Sequence, residues 1–232
     1  MATRQDSSSQ PRVPLSRERV LNAAIGLADE GGIDSLTMRK LARALGVEAM
    51  SLYNHVANKG DLVDAIVALV VSEIDLPATA EPWEVAIRKC AISAYEALLR
   101  HPWACSLVMS PTSTRTVPTP RLQYMEWLLR RLREAGFSAE LTYHAYHALD
   151  SHILGFTLWQ IGHSTAAQNI VAGKDFADFA ATLLRELRSD YPYLAEHGER
   201  HLAVPGDDSR GEFEFGLDLI LDGLKRLHET AR

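Results

Sequence analysis

Three residues, Ala42, Gly46 and Leu52, constrain this chain more than any others. They are spaced four and then six apart, as two helices crossing at a tight turn require. A small residue suits the crossing, a glycine supplies the positive φ of the turn, and a buried aliphatic anchors the second helix. The surrounding stretch, LTMRKLARALGVEAMSLYNHVANK from Leu36 to Lys59, supplies the rest. Thr37 is a good N-cap for a helix reaching Leu45, with Leu41, Ala42 and Leu45 on one face. Arg39, Lys40 and Arg43 are then left to solvent or phosphate. Val47 adds an apolar contact at the corner. A second helix from Glu48 to His55 buries Leu52 and shows Ser51, Tyr53, Asn54 and His55. Each feature alone is ordinary helix packing; together they predict a helix-turn-helix whose second helix fits a DNA groove.

The flanks agree with that unit. Ser16 caps a preceding helix that buries Val20, Leu21, Ala24, Ile25, Leu27 and Ala28 and stops at Gly31-Gly32. Asn58 with Asp61 reads as a capping box opening a fourth helix. Leu62, Ala65, Ile66, Leu69 and Val70 make its apolar stripe, and Asp75-Leu76-Pro77 ends it. The predicted organisation is a disordered tail over 1–14, a helix-turn-helix domain over 15–75 and a second domain over 76–232.

The second domain reads as helix throughout. One helix runs from Pro82 to His101-Pro102, and a short one from Trp103 to Met109. A proline- and threonine-rich loop follows, Pro111 to Pro120. Further helices span Pro120 to near Gly136, Ser138 to about Ile161, Phe176 to Leu187 and Glu212 to His228, with Tyr191 to Arg210 irregular. No β-alternation or internal repeat is visible. The predicted fold is all-α: a three-helix head joined by a fourth helix to a helical ligand-binding and dimerisation domain.

Charge and composition narrow the function. The chain of 232 residues carries a net charge of −6, yet residues 1–60 hold eight Lys/Arg against six Asp/Glu, so the excess acid lies after residue 60. A positive head on an acidic body favours local phosphate contact over smeared non-specific binding. No apolar run is long enough to span a bilayer, and the N-terminus has no signal-peptide core. Cys90 and Cys105 sit in apolar helical contexts and read as free thiols of a cytoplasmic protein.

Catalytic motifs of the GxSxG, Walker, GxGxxG and HExxH types are missing from the sequence. His144, His147, Asp150 and His152 tempt a metal reading. At 100° per residue, however, His147 and Asp150 fall about 60° and 120° to one side of His144, and His152 about 80° to the other. No metal site or cofactor is expected there; the histidines suit pocket or interface positions. Trp103, Trp127, Tyr143, Tyr146, Phe156 and Trp159 on converging helices fit either plain core packing or a cavity for a small apolar molecule.

The stretch LTMRKLARALGVEAMSLYNHVANKGDLVDA resembles the DNA-binding segment of the tetracycline-repressor-like (TetR) family of bacterial regulators. The resemblance is close over Leu15 to Ile74 and fainter around Ser151 to Gly155 and Phe215 to Leu224. It implies DNA contacts from Thr37 and Arg39, then Ala49, Met50, Ser51, Tyr53, Asn54 and His55, with Lys59 opening the fourth helix. Arg39 is the expected base reader, since guanidinium grips guanine O6 and N7 together. Thr37, Tyr53, His55 and Lys59 are the expected phosphate anchors. Ala49, Met50 and Asn54 depart from the tetracycline repressors and would set a different operator.

In the body, the resemblance implies a small-molecule effector pocket. Trp103, Tyr146, Phe156 and Trp159 are expected to line it, with His101 or His152 giving one orienting hydrogen bond. Trp159 and Gln160 stand where a tetracycline–magnesium binder would carry acidic residues, so neither metal nor tetracycline is expected. A two-fold dimer is expected as well. The C-terminal helix carries Phe213, Phe215, Leu217, Ile220, Leu221 and Leu224, more apolar surface than one core needs, and Gly216 and Gly223 permit close approach. The expected function is a ligand-responsive repressor of a palindromic operator, not an enzyme. The residues alone leave another possibility, a helical small-molecule binding protein whose head docks on a protein partner.

Overall fold

The structure, a computed structural model, describes residues 14–78, 80–108, 119–170, 175–203 and 209–230. The expected disordered tail, but for Pro14, and the Pro111 to Pro120 loop, but for its last two residues, lie outside them. Every described element is helical: α1 (Arg17–Gly31), a 3-10 turn (Ile33–Ser35), α2 (Met38–Leu45), α3 (Ala49–Leu52), α4 (Lys59–Ser72), α5 (Trp83–Arg100), α6 (Ala104–Val108), α7 (Pro120–Glu134), α8 (Ala139–Ile170), α9 (Asp175–Leu187), α10 (Pro192–Ala203) and α11 (Ser209–Thr230). The chain divides into two compact units, Met1–Ala68 and Leu69–Arg232, and the division falls inside α4.

In the first unit, α2 packs between α1 and α3. Ser16 Oγ accepts from the Arg19 N–H at 3.2 Å and caps α1. Leu36, Leu41, Leu52, Leu62 and Ile66 are fully buried and form the core with Val20, Ala24 and Val56. At about 2 kcal/mol or more per buried leucine, this small core is what holds two helices of eight and four residues that are too short to persist alone.

In the second unit, α8 is the spine, packed against α5, α6, α7 and α11. Tyr95 of α5 stacks on Phe213 of α11 with ring centroids 4.2 Å apart, and Phe156 of α8 meets both edge-on. Phe137 is sandwiched between Trp83 and His228 at the other end of the helices. Cys90 and Cys105 are buried free thiols. Burial pushes the Cys105 thiol up to about 11 and Cys90 higher still, so neither is a reactive thiolate at neutral pH.

Three sequence expectations are corrected. α8 continues nine residues past Ile161, to Ile170. The Tyr191 to Arg210 stretch is not irregular throughout, since Pro192 to Ala203 is a helix paired with α9. Pro192 opens it from the first position, where a missing N–H costs nothing. The second helix of the motif is also shorter than Glu48 to His55, spanning Ala49 to Leu52. No helix among the described residues is long and apolar enough to cross a membrane.

Candidate functional site

The head presents its polar edge through cap and turn chemistry. Thr37 Oγ1 accepts from the Lys40 N–H at 3.1 Å and fixes the start of α2. The hydroxyl keeps its own proton, so it still has a donor to offer a phosphate. Gly46 is left-handed (φ 67°, ψ 35°), and its N–H turns back to the carbonyls of Ala42 and Arg43. Val47 N–H reaches Ala42 O at 3.0 Å, closing the motif that ends α2. Only α3 departs from expectation here. It spans Ala49 to Leu52, and Tyr53, Asn54 and His55 follow in a tighter winding with each N–H bonded to the residue three before it. Glu48 gives α3 no side-chain cap, which fits its shortness.

The nine residues expected at DNA lie on α2, the turn, α3 and the start of α4. Thr37, Arg39, Met50, Tyr53, Asn54 and Lys59 are exposed, and Ala49, Ser51 and His55 are half-buried. Met50 is 76% exposed and Tyr53 46%, too much for large side chains with a packing role. Arg39 and Lys59 form no ion pair among the described residues. Lys40 and Arg43, left by the sequence to solvent or phosphate, add exposed positive charge to the same helix. Asn58 Oδ1 accepts from Asp61 N–H at 2.9 Å, and Asp61 Oδ2 accepts from Ala57 N–H at 3.0 Å. These two bonds set Lys59 at the first position of α4.

The body holds a small cavity of about 30 Å³. Val70, Val71 and Ile74 at the end of α4, with Ala97 and Leu98 of α5, form one wall. Arg121 and Tyr124 of α7, with Tyr146 and Asp150 of α8, supply all its charged and hydroxyl groups. Tyr124 and Tyr146 donate their phenol O–H groups to the two oxygens of Asp150, at 3.5 and 3.3 Å. Burial pushes the Asp150 carboxyl above the usual carboxylate range, and pushes both phenols up.

The six residues expected around one pocket do not share it. Tyr146 lines the cavity, while His152, Phe156 and Trp159 border an open groove on another face of α8. At 100° per residue they lie about 80° to 140° around the helix from Tyr146. His152 Nε2–H donates to Phe213 O at 2.9 Å, which commits that ring to α11. His101 turns to Glu73, its Nε2 3.2 Å from Oε1, while Arg100 holds the other oxygen at 2.7 Å. The end of α4 is thereby tied to the end of α5. Trp103 is buried, edge-on to His101. Aromatic type does not tell which face of α8 a residue occupies, whereas the four-residue spacing of Tyr146 and Asp150 puts both on the cavity side.

Residues 20–66 match the family described as bacterial regulatory proteins, tetR family, and residues 76–228 match the tetracyclin repressor-like C-terminal domain. The chain belongs to the TetR family. With that family it is a ligand-responsive, DNA-binding transcriptional regulator. It is 33% identical over 216 residues to tetracycline repressor protein class D of Escherichia coli, covering 91% of this chain and 89% of that one. It is 30% identical over 226 residues to an HTH-type transcriptional regulator of Saccharopolyspora erythraea, covering 95% and 89%. Its fold matches that of ActR, a TetR family protein of Streptomyces coelicolor solved in complex with actinorhodin, with a TM-score of 0.67 and 26% identity over 93% of this chain and 99% of that one.

Proposed function

We propose that this TetR-family regulator is a homodimeric repressor that leaves a palindromic operator when a small, largely apolar molecule fills the α4–α8 cavity. What carries this reading is that α4 is one continuous helix, with Lys59 at its first position and the cavity wall of Val70 and Val71 in its last turns. The cavity has room for only one or two water molecules, on the order of 30 Å³, so any effector must part the walls. Moving α4 then carries the displacement to the residues that face DNA. By linkage, the operator weakens effector binding by the factor by which the effector weakens operator binding.

DNA contact is assigned to Thr37, Arg39, Ala49, Met50, Ser51, Tyr53, Asn54, His55 and Lys59, with no catalytic step for the chain. The dimer is supported by the outward face of α11, where Phe215 and Leu219 are 69% and 59% exposed. Leu158 and Trp159 on the exposed side of α8 extend the apolar surface available to a second copy. Filter binding to DNA upstream of the protein's own gene tests the reading. Sub-micromolar affinity that falls steeply with salt is expected. Binding no better than to random DNA at every salt concentration would transfer the head to a protein partner instead.

Tetracycline with magnesium is expected not to bind. His101 Nε2 is engaged by Glu73, and an indole at Trp159 offers no oxygen ligand to a hard cation. Titration of the protein's tryptophan fluorescence checks this: quenching by the drug that a chelator abolishes would contradict it.

A further inference from the structure

The body cavity has two unlike walls, and their chemistry specifies a ligand. The α4 and α5 wall offers aliphatic carbon only: Val70, Val71, Ile74, Ala97 and Leu98. On the α7 and α8 wall, Asp150 accepts one phenol hydrogen bond on each oxygen, from Tyr124 and Tyr146. A carboxylate has about four lone-pair positions, so two donors leave about half its accepting capacity unused.

We propose that Asp150 is the specificity residue of the cavity, and that the effector is an apolar molecule with one protonated amine, its ammonium seated on Asp150 and its hydrocarbon or aromatic body against α4 and α5. This assignment rests on the cavity being the effector pocket. The balance of forces on Asp150 supports it. Burial raises the carboxyl's pKa, and the bond from Tyr146, the charge of Arg121, the bond from Tyr124 and the charge of His147 all act the other way and do not cancel it. The carboxylate is thus under-compensated, and a ligand cation supplies what these four groups lack. A ligand carboxylate in the same place would meet a like charge in a poorly screened site. Arg121 stands at the same wall, and its charge favours the ionised carboxylate, the form that pairs with an ammonium.

The test uses three probes on one frame: 1-(aminomethyl)naphthalene, 1-methylnaphthalene and 1-naphthoic acid. Each is titrated calorimetrically into the full chain and into Asp150→Asn. The amine should bind at least about tenfold tighter than the hydrocarbon, the usual scale of a hydrogen bond to a charged group, and the acid should bind worst. In Asp150→Asn the amine and hydrocarbon affinities should converge. That variant removes the buried charge but also the acceptor of one phenol, so its melting temperature is measured alongside to show that it is folded. Tyr146→Phe, which keeps the carboxylate, should keep the preference for the amine. An acid that binds as tightly as the amine, an amine preference that survives Asp150→Asn, or one lost in Tyr146→Phe overturns the ligand class; hydrocarbon binding would still uphold the pocket. If none of the three binds, the effector-pocket reading fails and the ligand class falls with it.

Discussion

Phe215→Glu combined with Leu219→Glu is expected to leave the protein monomeric and to abolish specific operator binding. α11 is apolar on two faces. Phe213, Leu217, Leu221 and Leu224 point inward and are buried in the body. Phe215, Leu219 and Leu227 point outward and remain largely exposed. A solvent-facing row of this kind on a long helix costs solubility unless something covers it. A second copy meeting it about a two-fold axis would bury four such side chains, two from each copy, at about 2 kcal/mol each. Losing about 8 kcal/mol moves a dimer's dissociation constant by more than five decades, before any penalty for burying carboxylates. Operator binding follows, because one head reads too few base pairs for useful specificity. Sedimentation velocity at micromolar concentration, with filter binding alongside, checks both effects. Leu122→Glu on α7, where Leu122 is 53% exposed, is the matched control and should leave both unchanged. A double variant that sediments as a dimer and still binds its operator would place the interface elsewhere.

The same helix shows where side-chain type misleads. Gly216 was expected to let two copies approach closely. In the structure a Cβ at Gly216 would meet the His152 ring carbon at 2.5 Å, so the glycine admits that histidine within one body. Gly223, with open space around it, remains for contact between copies. Composition and period identify an apolar helix but not which of its two faces a neighbour covers, because that depends on long-range packing.

Local chemistry was far more legible than long-range placement. Thr37, Gly46 and the Asn58–Asp61 pair do in the structure what their residue types require, since caps and turns are decided within four residues. α3 stops at Leu52, and tight winding through His55 replaces its last turn. α10 lies within the Tyr191 to Arg210 stretch expected to be irregular, although it holds both Pro192 and Gly198. The proline stands at the helix start, and Gly198 faces Leu184 of α9, where a larger residue would collide. The cavity was the least legible part. Its polar wall joins Tyr124 to Asp150 across 26 residues of sequence, and only the packing of α7 on α8 brings them together.

Arg39→Ala and Lys59→Ala should both weaken operator binding, but in ways that separate base reading from phosphate anchoring. Arg39 is exposed in the first turn of α2, one residue past the helix start that Thr37 fixes. A guanidinium held there has the reach and the fork geometry for guanine O6 and N7. Its loss should cost about 1–3 kcal/mol, roughly five- to 150-fold, and relax preference at one base pair in each half-site. Lys59 sits at the first position of α4, behind the Asn58 cap, and an ammonium there is a point charge without fork geometry. Its removal should weaken all sequences alike and make the salt dependence shallower by about one ion per head. Affinity measured over a panel of single-base operator variants, at several salt concentrations, distinguishes the two. If Arg39→Ala lowered every operator variant equally while Lys59→Ala changed the base profile, the two roles would be exchanged. If both variants gave the parent's profile and only the salt slope changed, base reading would pass to Met50, Asn54 and the other exposed residues that follow Gly46.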